Sequence, residues 1–202
     1  DNNTAIGFYS LKANTTGEKN VAVGGATLTA STTGDENTAV GYDALSSNTT
    51  GRYNIAVGND ALSSNTTGTN NVAVGTQSLN SNTTANYNVA IGRRAMSSNT
   101  TGGGNVAIGS SSLSDNTTGD YNVAVGMSAL NSNTTGDNNV AIGGTVLNYN
   151  STGSRNIAIG YLAYKAADTE NDNLAIGYNA LSGSIAGGEY NVAIGNYSMD
   201  AL

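Results

Sequence analysis

Residues 63–75 read SSNTTGTNNVAVG. Almost the same words precede them, as LSSNTTGRYNIAVG at 45–58, and return later as NSNTTGDNNVAIG at 131–143. Self-similarity at a fixed period is the first pattern to follow, because it reports one physical demand made many times. The motif Asn-[Val/Ile/Thr/Leu]-Ala-[Val/Ile]-Gly begins at Asn3, Asn20, Asn37, Asn54, Asn71 and Asn88, and again at Asn105, Asn122, Asn139, Asn156, Asn173 and Asn191. The interval from Asn3 to Asn20 holds for ten successive steps, and the last, from Asn173 to Asn191, is one residue longer. The chain is therefore twelve copies of N-V-A-V-G-x-x-A-L-S-S-N-T-T-G-x-x, the last one incomplete. Counting that Asn as position 1, position 3 is Ala and position 5 is Gly in every copy.

Two apolar residues flanking a small one give a period of two, which predicts a short strand over N-V-A-V. Position 9 is Leu in nine copies, Met96 and Met199 in two, and Tyr164 in one. With its small neighbour at position 8 it predicts a second short strand. The SNTTG segment is turn chemistry, in which Asn, Ser and Thr bond locally and Gly supplies permissive φ. Glycines and paired threonines interrupt each unit too often for a helix. Two strands and two turns per repeat make one coil of a parallel β-solenoid. At about 4.7–4.9 Å per coil, twelve coils form a rod of roughly 55–60 Å. Stacking sets like on like: Asn54 on Asn71, Ala56 on Ala73, Gly58 on Gly75 and Leu62 on Leu79. The Asn columns at positions 1 and 12 satisfy buried amides copy to copy.

The apolar side chains at positions 2, 4 and 9 are expected to fill the coil. The Ala at position 3 then points the other way, and its constancy suggests another backbone packed against it. That implies association with further copies about an axis parallel to the rod. The other reading is that Ala fills a flattened coil interior.

Composition narrows the function. The net charge of −7 opposes non-specific binding to nucleic acid or anionic membrane. No apolar run approaches the length of a membrane span. The chain has no Cys and no His, so the usual thiolate nucleophiles, imidazole bases and zinc ligands are missing, and no enzyme or cofactor is expected. It opens without Met or a signal-like stretch and reads as a processed or excised piece.

NVAVG, NVAIG and NTAVGYDAL resemble the head repeats of YadA-type trimeric autotransporter adhesins. They equally resemble repeats of phage tail fibres and of bacterial surface proteins that end in an endosialidase-type intramolecular chaperone domain. The resemblance covers nearly all 202 residues. It implies an all-β, left-handed parallel β-roll, a homotrimer, and an extracellular fibre on a bacterial cell surface or a virion. The 17-residue period, lengthened by SNTTG, departs from the adhesin heads. No membrane anchor, stalk or chaperone pattern lies within these residues.

As one domain, the chain divides into regular coils over 3–163, an irregular coil with a one-residue insertion over 164–190, and a final partial coil over 191–202. In the irregular coil Asp168, Glu170 and Asp172 alternate. They suggest a weak calcium site, although the glycine and terminal bidentate Glu of an EF-hand are absent. Elsewhere carboxylates sit in variable turns, as at Asp35, Asp120 and Asp137. The candidate contact surface is the Thr row at Thr50, Thr67 and Thr84, together with exposed tyrosines such as Tyr53, Tyr87 and Tyr121. These residues fit attachment to a host receptor or glycan. The rival function is an ice- or glycan-binding solenoid. Adjacent threonines in a turn can turn only one side chain outward, against the Thr-x-Thr of an ice-binding strand. Asn48 and Asn65 also head glycosylation sequons.

Overall fold

In a computed structural model that describes residues 2–183 and 188–200, the chain is all-β. Three-residue strands recur once per repeat from β1 (Thr4–Ile6) and β2 (Val21–Val23) to β11 (Leu174–Ile176), and β12 (Val192–Ile194) follows after the one longer step. The twelve strands form one parallel sheet in sequence order. Register never slips: Ala5 faces Ala22, and Ala175 faces Ala193 across the longer step. Residues 184–187, within the insertion, lie outside the described residues.

The strand faces opposite to the sequence expectation. Ala56, Ala73, Ala90 and Ala107 at position 3 have no exposed surface, and they line the core with the residues of positions 8 and 9. The Val and Ile of positions 2 and 4 point outward, with Ile91 39% and Ile108 38% exposed. The reading of Ala as coil filler is therefore the correct one, and the inference of a neighbouring chain packed on the Ala column falls. The cause is space. A coil that also holds a Leu or Met at position 9 and an Asn at position 12 has room opposite them only for a methyl group. Close packing at native density leaves no slack for more.

Position 9 is not in a strand. Leu45, Leu62, Leu79 and their equivalents take φ near +50°, as do the residues at positions 7 and 17. The segment still stacks from coil to coil. Leu45 N–H donates to Ala61 O at 3.0 Å and Asp60 N–H to Tyr42 O at 3.0 Å, so alternate residues bond to opposite neighbours. The left-handed backbone turns each position-9 side chain into the core. It also explains its identity, because Leu, Met and Tyr are unbranched at Cβ and bear positive φ better than Val or Ile. The invariant Gly of position 5 has a stricter cause. Its φ of +121° to +137° is closed to side chains, and a Cβ on Gly58 would lie 2.7 Å from the backbone of Gly75.

These assignments predict an asymmetry between neighbours in one strand. Ala73→Val overfills the coil and costs about 1–3 kcal/mol. Val72→Thr, on the outer face, changes the unfolding free energy of the isolated chain by less than about 0.5 kcal/mol. Urea titration of the two variants checks this, and equal losses would reverse the assignment of faces.

Candidate functional site

Each coil is closed by side-chain amides. The carbonyl of Gly51, at position 15, accepts from Nδ2 of Asn37 at 2.9 Å and of Asn48 at 3.0 Å. Gly68 accepts in the same way from Asn54 and Asn65, and Gly102 from Asn88 and Asn99. The two Asn columns thus meet on one oxygen, and each is also a ladder. Asn71 N–H donates to Asn54 Oδ1 at 3.0 Å, and Asn82 Nδ2 to Asn65 Oδ1 at 2.8 Å. A Cβ at Gly51 would sit 2.3 Å from Asn48 Oδ1. Ala85 carries one at this position, and its bond from Asn82 lengthens to 3.3 Å.

Among the described residues the position-12 ladder has two defects. Ser31 and Ala167 replace Asn, and the Oδ1 atoms of Asn14 and Asn150, which a following Asn would have engaged, are buried without a partner. In the tenth coil Tyr164 stands in place of Leu, fully buried, with its hydroxyl accepting from Asn173 Nδ2 at 2.9 Å. Burial, reinforced by the charge of Glu170, holds this phenol well above its ordinary range, so it stays protonated. A larger residue at position 9 and a smaller one at position 12 share this coil.

The three acidic residues of that coil do not converge. Asp168 accepts from the Ser151 hydroxyl, and Glu170 Oε2 caps the backbone N–H of Asp168 at 3.0 Å and Thr169 at 3.2 Å. Asp172 forms a two-pronged pair with Arg155 at 2.6 and 2.7 Å, which holds its carboxyl below the usual range. The pair is present at neutral pH and is lost as acid protonates Asp172. Among the described residues no group of acidic side chains is placed to hold a metal ion.

The surface rows divide by chemistry. Thr49, Thr66 and Thr83 spend their hydroxyls on the carbonyl of the next coil, at 3.0 to 3.3 Å. Thr50, Thr67 and Thr84 are exposed, one per coil, as two adjacent turn residues require. Tyr53, Tyr87 and Tyr121 are also exposed, all at position 17 and all at φ near +60°. Asn48 and Asn65 are fully buried with their amide nitrogens bonded, so these sequons are closed to modification in the folded chain. The carboxylates at position 16 have a task that sequence reasoning missed. Asp120 Oδ1 accepts from Gly103 N–H and Asp137 Oδ1 from Asp120 N–H, each at 2.7 Å, so these side chains cap the backbone of the preceding coil.

The outer rows, also missed, are Val or Ile at positions 2 and 4 except for Thr4, Thr38 and Leu174, and they stay partly exposed on all twelve strands. The sequence held one signal for them. A coil made from so short a repeat cannot enclose three bulky columns. No family model, curated protein or solved structure matches the chain.

The ladder defects predict coupling in the tenth coil. Ala167→Asn alone and Tyr164→Leu alone each destabilise the rod. Tyr164→Leu/Ala167→Asn restores the common pattern, engages Asn150 Oδ1, and exceeds the sum of the singles by about 1–3 kcal/mol. Additive effects in chemical denaturation would show that the two departures are unrelated.

Proposed function

We propose that this chain is a non-enzymatic structural and adhesive fibre segment, an extracellular rod that works as an assembly of parallel copies. The observation that carries the reading is the outer strand face. Its Val and Ile rows run the length of the sheet and stay partly exposed on every coil. A continuous apolar strip roughly 55 Å long and two side chains wide is more than a soluble monomer ordinarily leaves open. The occupant that fits it is a second copy of the same chain. A parallel copy has the same rise per coil, so its rows meet these rung for rung. Three copies around one axis, as the resemblance to trimeric adhesin heads implies, cover the strip on every chain.

The mechanism is geometric. Stacked coils set length and stiffness, assembly removes the sticky strip from water, and the turn rows with their Thr and Tyr remain for contact with a receptor or glycan on a host cell. The resemblance supports placement on a bacterial cell surface or a virion.

Light scattering of the purified chain is expected to give three times 20.2 kDa. Ile91→Lys/Ile108→Lys stacks two like charges on the strip, and the expected product is a monomer with an unchanged far-ultraviolet spectrum. A parent chain that is itself a folded monomer would sink the proposal.

A further inference from the structure

The sixth coil departs from the others where it enters the next strand. Positions 16 and 17 are both Gly there, Gly103 and Gly104, and the corner carries no side chain. The coils on either side carry Tyr87 and Tyr121 at position 17, two coils and about 9–10 Å apart along the rod. The result is a notch of about 320 Å³, with the two rings as its flanks. Both are largely exposed, Tyr87 by 68% and Tyr121 by 67%. Tyr121 leans over the glycines: a Cβ on Gly104 would meet its Cδ1 at 2.7 Å.

Gly104 is not there for its conformation. Its φ of +68° lies in the region that Tyr53, Asn70 and Asn138 occupy at the same position. A side chain is tolerated by the backbone, and what its absence provides is space.

The groups around that space are of one kind. The exposed hydroxyls of Thr84 and Thr101 lie along one edge. Asp120 brings a carboxylate, held by Gly103 N–H at 2.7 Å. Asn86 gives its Oδ1 to the backbone N–H and hydroxyl of Thr69, which leaves its amide N–H₂ without a protein partner among the described residues. No Lys or Arg lines the notch, so nothing in it favours an anion. It is too open and wet for a wholly apolar ligand. Two aromatic flanks, neutral hydroxyls and one acceptor carboxylate suit a flat ring with C–H on its faces and hydroxyls on its rim. The C–H groups lie on the negatively polarised faces of the Tyr rings, and the hydroxyls reach Asp120, Thr101 and Asn86. The volume sits at the small end of ligand sites and admits one or two such rings.

We infer that the notch between Tyr87 and Tyr121 is a binding site for a neutral pyranose, one or two residues of an oligosaccharide. This rests on and sharpens the glycan contact proposed above for the turn rows, while the rod itself stands whether or not the notch is filled.

The test is saturation-transfer NMR on the intact 202-residue chain with cellotriose, chitotriose, maltotriose and β-1,4-galactobiose, and with sialyllactose as the charged comparison. At least one neutral sugar is expected to bind saturably with millimolar or better affinity, ahead of sialyllactose. Tyr121→Ala should weaken it at least tenfold. So should Gly103→Thr/Gly104→Asn, which installs the residues that the fourth coil carries at these positions, Thr69 and Asn70, and fills the notch while keeping the thermal midpoint. Tyr53→Ala, on a corner without the glycines, should leave binding unchanged. Absence of saturable binding by every neutral sugar overturns the proposal. Equal loss in Tyr53→Ala also overturns it, because contact would then be spread over the Tyr row.

Discussion

In eight of the coils one carbonyl, at position 15, receives two side-chain amides, and the rest of the coil is arranged around that junction. The Asn of position 1 reaches it from the start of the strand and the Asn of position 12 from the turn, so the whole loop of one repeat closes on a single oxygen. A coil this narrow has no large apolar core to hold it shut. Its interior is Ala, Leu and amide, and the amides have to be fully bonded because an unpaired one in that setting costs about 1–3 kcal/mol. The ladder from coil to coil meets that demand, since each Oδ1 is engaged by the copy above. Where an Asn is missing, at Ser31 and Ala167, the orphaned oxygen appears one coil away, on Asn14 and Asn150.

The same narrowness sends the strand's larger side chains outward. With Ala inside and Val or Ile outside, each coil retains an apolar strip that it cannot bury by itself. Closing the coil with amides and leaving the strip open are two sides of one geometry. On the assembly proposed above, association of parallel copies would continue folding by covering that strip between chains.

The period, the sheet order, the Asn and Gly columns and the single exposed Thr row were legible in the sequence, because twelve copies repeat each constraint. The facing of the strand was not. Val-Ala-Val alternates equally well with either set inward, and only the width of the closed coil decides. The left-handed segment was hidden for a related reason. A mostly small residue followed by a large apolar one at positions 8 and 9 looks like a strand until the lack of any β-branched residue at position 9 is weighed. The Gly103–Gly104 notch could not be read as a site from one coil. It exists because the coils on both sides carry tyrosines that the sixth lacks.

The connectivity also sets how the molecule answers a pull. In the folded rod each coil adds about 4.8 Å of height. The same repeat drawn out straight spans about 56–61 Å. Because a coil bonds only to its two neighbours, tension on an end coil is borne by that coil before any other. Peeling one coil therefore releases slack more than ten times the height it gave up. A tether built this way yields in steps, lengthening under load while the coils still stacked keep their register.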